Sequence, residues 1–216
     1  MKTSQKHLFC LNAAALLTLW VCRGLCSAEQ TNALEQQVKQ QDLAAIKAAG
    51  SQGRTDLIPS LEVTVNMSAD ADEPIRIWAK AALAKLGVKK YLEETVAELT
   101  TTNSGLFAAK MNGYCGIYNS QQLRVACAKM RTMETAFETL AYIHNPSTVK
   151  IVAQFLYSTE HYQFSTDVPP WWASGAAVRA LRQMVDNPPA LPAVRTGEEE
   201  DRAWQQWWEK NKDKYP

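Results

Sequence analysis

Apolar residues recur three and four positions apart along most of this chain, and no other feature constrains its fold as strongly. Ile75, Trp78, Ala79, Ala82, Leu83 and Leu86 form one continuous stripe when wound at about 3.6 residues per turn. Val88, Tyr91, Leu92, Val96 and Leu99 repeat the pattern directly after Gly87. Met133, Phe137, Leu140 and Ala141 make the next stripe, and Val149, Val152, Ala153 and Leu156 another. Ala173, Ala177, Leu181 and Met184 follow, and Trp204, Trp207 and Trp208 share a face near the end. No window alternates with period two, so strands are not expected.

Helix start signals agree with these stripes. Asn145-Pro146 is an N-cap residue followed by proline at the first helical position, where its missing N–H is not needed. Glu73-Pro74 and Pro169-Pro170 predict two further starts of the same kind. Thr196 followed by Glu199 predicts a capping box ahead of the Trp-bearing helix. Pro59 belongs in the first turn of its helix, because an interior proline costs about 3 kcal/mol.

Alignment on Leu83 finds weaker copies of its segment at Ile46, Leu140 and Val178, at spacings of 37, 57 and 38 residues. Two spacings match a helix-pair period of about 40, and the third equals one period plus about 20 residues. The best copy is Ile75-Arg76-Ile77-Trp78-Ala79-Lys80-Ala81-Ala82-Leu83-Ala84-Lys85-Leu86-Gly87. It resembles the HEAT repeat in its bacterial HEAT-like variety, where V-R-x-x-A-A-x-A-L-x-x-L-G lies on a helix packed beside a partner helix. Lys80 departs from that pattern, standing where alanine is preferred. The closing Thr196-Gly197 and Trp204-x-x-Trp207-Trp208-x-x-Asn211 resemble the end of many exported bacterial HEAT-like proteins. The resemblance implies an all-α fold, a right-handed α-solenoid of about four HEAT-like helix pairs, with a C-terminal capping helix at 198–214. Each pair buries too little surface alone, and stacking makes the core continuous. In the capping helix the three tryptophans serve packing or, alternatively, ligand stacking. His144 stands where Gly87 stands in its copy, a helix end that favours a cation. Some HEAT-like repeats are named after bilin lyases, but resemblance at the repeat level transfers no activity.

Residues 1–28 read as a cleaved signal peptide. Lys2 and Lys6 precede an apolar run from Leu8 to Cys22, and Cys26-Ser27-Ala28 puts small residues at a cleavage site before Glu29. The run of about 15 residues is shorter than the roughly 20 of a spanning helix; the alternative is a retained membrane anchor. Cleavage leaves 29–216 as a single domain, periplasmic or secreted, with no membrane span. With 46% apolar and 21% charged residues, the chain is neither a disordered tail nor a cysteine-dense miniprotein. Loss of Lys2, Lys6 and Arg23 leaves 22 acidic side chains against 20 basic, a balance that argues against a nucleic-acid partner.

Cys115 and Cys127 are the two cysteines left after cleavage. An even number in an oxidising compartment predicts a bridge between them, the alternative being two buried thiols on separate elements. Thr100-Thr101-Thr102-Asn103-Ser104-Gly105 has loop composition and places the extra residues as an insertion at 102–121. Between Glu98 and Glu134 the only charges are Lys110, Arg124, Lys129 and Arg131. With Tyr114 and Tyr118 they make either a solvated loop or a basic, tyrosine-bearing protrusion that holds an anionic patch of a partner. Trp171 and Trp172 would sit about 100° apart on a helix. Either one covers Tyr162 and Phe164 or Trp171 is exposed as a binding anchor.

Signs of chemistry are sparse. Walker, G-x-G-x-x-G, H-E-x-x-H, G-x-S-x-G and C-x-x-C patterns are missing after residue 28. His161, Ser165 and Asp167 are the residue types of a hydrolase triad without an oxyanion hole or nucleophile elbow. Two histidines without a carboxylate cluster do not make a metal site. The expectation is therefore an extracytoplasmic protein-interaction or scaffold module, not an enzyme, without catalytic residues, cofactor or metal. It would bind a protein or peptide partner in the cell envelope through Tyr114, Tyr118, Arg124, Lys129 and Trp171. The alternative is an envelope hydrolase or lyase using the 159–172 loop.

Overall fold

Start signals and left-handed ends divide the chain into helices. The computed structural model describes residues 33–67, 73–100, 105–191, 193 and 196–215. Residues 1–28, expected to be a signal peptide, and the first residues of the expected insertion lie outside the described residues. After a first helix, α1, at 33–39, the Asp42 side chain accepts the Ala45 N–H at 2.8 Å and opens α2 (Leu43–Ser51). A 3-10 turn at Thr55–Leu57 leads into α3 (Ile58–Met67), with Pro59 in its first turn as expected. α4 (Glu73–Lys85) and α5 (Lys89–Glu98) flank Gly87, whose φ is +93°. Next come α6 (Gly105–Asn112), a 3-10 turn at Tyr114–Ile117, and the long α7 (Gln121–Ile143). Asn145 caps α8 (Pro146–Gln154) by accepting the Ser147 N–H at 3.0 Å. α9 (Ala173–Met184) precedes α10 (Gly197–Asn211), which carries the full Thr196–Glu199 capping box.

α2, α4, α7 and α9 carry the segments aligned on Leu83, and each packs against the next in a row. Their inward faces are small and fully buried: Ala45 and Ala49, Ala79 and Ala82, Ala136, Ala177 and Ala180. Small residues let the helix axes approach, and Ile46, Leu83, Leu140 and Leu181 fill the seams between them. α3, α5, α8 and α10 pack against this row. The junction of α4 with α7 is polar: the Lys85 ammonium donates to the Tyr142 and Ile143 carbonyls at the end of α7. Such carbonyls lack helical partners and carry the negative end of the dipole. Burial pulls the Lys85 pKa below its ordinary value.

At the far end Trp204 is fully buried and Trp208 nearly so, against α9 and the 3-10 turn Phe155–Tyr157. The half-buried Trp207 donates its indole N–H to the Asn187 carbonyl at 2.7 Å. These tryptophans are packing residues.

The structure corrects the sequence reading in two places. Strands were not expected, yet β1 (His161–Tyr162) pairs antiparallel with β2 (Trp171–Trp172). Pro169-Pro170 opens no helix, because α9 begins only at Ala173. A residue before proline is held extended, and the aromatic pair that follows continues the extended backbone instead of winding. The second correction lies within 102–121. Its described part is not all loop: α6 occupies Gly105–Asn112, where Phe107 and Met111 are a single i, i+4 pair, too short to register as a period. Among the described residues no helix is long and apolar enough to cross a membrane.

Candidate binding site

The Cys115 and Cys127 sulfurs lie 2.12 Å apart, a bonding distance, with the Cα atoms separated by 5.7 Å. One cysteine comes from the 3-10 turn and the other from the second turn of α7, so the bond staples the turn to the helix. Both are buried, with Ala128, beneath Phe107, Met111, Tyr118 and Phe164. The Arg124 guanidinium donates through Nε to the Tyr118 carbonyl, which fixes the chain as it leaves the turn. Turn and helix therefore move as one unit.

The short β1–β2 ribbon forms an aromatic arm. Its register sets His161 opposite Trp172 and Tyr162 opposite Trp171, and alternation sends the two pairs to opposite faces. Tyr162 and Trp171 stack at 5.9 Å on the inner face; His161 and Trp172 stack at 4.5 Å on the outer one. Trp172 is 44% exposed. The Ala173 N–H donates to the Glu160 carbonyl at 3.0 Å and ties the arm to α9. The Tyr162 hydroxyl donates to the Glu160 carboxylate. Burial, and then that carboxylate, raise the Tyr162 pKa far above its ordinary value, so its proton stays in place.

Phe164 leaves the arm and stacks on Tyr118 at 5.5 Å. The contact joins two segments that were separate hypotheses in sequence, the stapled insertion and the 159–172 segment. Tyr118, Arg124 and Lys129 belong to this corner, and the Tyr114 side chain lies outside the described ones. Trp171 turns inward, half buried, so the exposed member of the pair is its neighbour Trp172. Sequence reasoning named Trp172 and Phe164 but set both tryptophans on a helix, because a two-residue strand carries no readable period. The available signal was the Pro-Pro step before two aromatic residues.

The one-signed stretch of sequence is not one-signed in space. Lys110 pairs with Glu73 at 3.2 Å, and Arg131 with Glu134 at 3.3 Å. Lys129 instead lines a cleft with Glu98 and Glu160.

The triad residue types do not assemble. The His161 Nδ1 lies 3.2 Å from the Thr159 carbonyl, and the Ser165 hydroxyl accepts the Asp167 N–H at 3.2 Å. Among the described residues no hydrogen bond links His161 to Ser165 or Asp167, and no group of three His, Cys, Asp or Glu could hold a metal ion. What the corner offers is a rigid aromatic and apolar surface. Comparison with known protein families, with characterised proteins and with solved structures finds no match to this chain.

Proposed function

We propose that this chain is an exported α-solenoid of the HEAT-like type, which binds a protein or peptide partner of the cell envelope non-covalently through the stapled corner and the aromatic arm. One observation carries the reading. Of the six large apolar side chains exposed among the described residues, Ile117, Val168 and Trp172 sit on these two segments, which Tyr118 and Phe164 hold together. Exposed apolar groups gathered on a rigid support mark an interaction surface, and a tryptophan makes its strongest anchor. The staple removes part of the ordering cost of binding.

The row α2, α4, α7 and α9, with a copy of the repeat on each helix, supports the solenoid reading. A right-handed course and four helix pairs are part of the proposal. Export is supported by the signal-like pattern of residues 1–28 and by two cysteines at bonding distance, which suits an oxidising compartment. Binding of this kind needs no cofactor, and the charge balance does not favour nucleic acid. An envelope hydrolase or lyase working from residues 159–172 has no comparable support, because His161, Ser165 and Asp167 form no proton relay.

Photo-crosslinking in envelope extract tests the proposal, with benzoylphenylalanine at position 172 or 117 and a control at the exposed position 150 on α8. A discrete cross-linked species from 172 and 117, suppressed by excess unlabelled chain and missing from 150, is expected. No product from 172 and 117, or equal products from all three, contradicts it.

A further inference from the structure

Lys129 and Thr132 lie one turn apart on α7 and form the floor of a cleft of about 270 Å³. Its walls come from the end of α5 (Glu98), from α6 (Phe107), from the turn after α8 (Phe155) and from the root of the arm (Glu160). Thr132 is only 2% exposed, yet its hydroxyl has no hydrogen-bond partner. Buried helical threonines can donate to a carbonyl one turn back, as Thr139 does to Thr135 at 2.9 Å and Thr64 to Ser60 at 3.0 Å. A buried hydroxyl left unpaired costs stability, and the partner it lacks belongs in the cleft. Among the described residues no ion pair engages Lys129 either, although two carboxylates line the same space.

We propose that this cleft binds a free amino acid with an apolar side chain. Lys129 and the Thr132 hydroxyl take its carboxylate, Glu160 and Glu98 face its ammonium group, and the side chain lies against Phe107 and Phe155. Size and charge select this class. The volume falls just under the roughly 300–1,000 Å³ of drug-sized sites, so a nucleotide or an oligosaccharide is too large. A fatty acid would bring its carboxylate beside two others, and a simple amine would leave Lys129 and Thr132 unmet. The inference goes beyond the partner-binding surface and does not depend on it.

Calorimetric titration of the purified chain with L-leucine and L-phenylalanine tests it. L-leucinamide and 4-methylpentanoate serve as probes that lack the carboxylate and the amine. Saturable binding of both amino acids is expected, with each leucine analogue at least about tenfold weaker than leucine, since each loses a charge-assisted contact. Thr132→Val is nearly isosteric and removes a hydroxyl without a partner, so its unfolding midpoint should not fall. It should still lower leucine affinity about tenfold, and Lys129→Met by at least as much. In Lys129→Met the difference between leucine and leucinamide should shrink. Either amino acid giving no heat at millimolar concentration, leucinamide binding as tightly as leucine, or unchanged leucine affinity in both variants overturns the proposal.

Discussion

Gly87 and His144 end α4 and α7 in the same left-handed conformation, φ +93° and +56°. Glycine adopts it freely, whereas a side chain in that region costs about 1–2 kcal/mol. His144→Gly should therefore raise stability by about 1 kcal/mol in denaturant unfolding, and an unchanged or lower midpoint would mean that the imidazole contributes more than the backbone costs. Gly50 answers to a different constraint. A Cβ there would collide with the Tyr142 hydroxyl and lie 3.0 Å from the Ala82 Cα, where α2 meets α4. Gly50→Ala should destabilise by about 1–3 kcal/mol, as overpacking does, and equal thermal midpoints would contradict so close an approach. Much at this scale was legible in the sequence. The register of Gly87 against His144 followed from alignment on Leu83, and the caps at Asn145 and Thr196 from residue type alone. The inward turn of Trp171 was not legible, because its direction is set by pairing with Tyr162 across the ribbon.

Among the elements, the stapled turn and α10 yield separate tests. The bridge closes a loop with a sequence separation of 12, for which chain entropy gives about 3 kcal/mol. Replacing both cysteines by serine should lower unfolding stability by about that amount while the far-ultraviolet circular dichroism stays helical; a loss of overall helix would make the bridge a condition of folding. Asp201 of α10 accepts from the Ser174 hydroxyl at 2.8 Å. Burial raises its pKa above the ordinary 3.8, with a smaller upward push from Glu200, and the Ser174 bond opposes the shift. The folded chain then holds this proton more tightly than the unfolded one, so stability is lost as pH rises through the ordinary carboxylate range. Asp201→Asn keeps an acceptor without the charge. It should be more stable than wild type near about pH 7 and lose that advantage near about pH 3. An advantage independent of pH would place its origin outside this carboxyl. Elements with three or more apolar turns were readable as helices. α6 and the β1–β2 ribbon were not, being too short for a period and held by the disulfide cluster and by cross-strand stacking.

Over the whole molecule, the row of α2, α4, α7 and α9 positions one corner that differs from the rest. α7 serves both, its later half packing in the row and its early turns carrying Cys127, Lys129 and Thr132. Repeat spacing puts the extra residues after Leu99, but contact between that segment and the 159–172 arm is long-range and leaves no mark on local sequence. The proposed function rests on that contact, since it makes two modest apolar segments into one surface. Hydrogen exchange by mass spectrometry, on the chain alone and with the partner recovered by crosslinking, measures this directly. Added protection at 115–124 and 159–172, with α1 to α3 unchanged, is the predicted result. Protection confined to α1 to α3 or to α10 would contradict the corner as the binding surface.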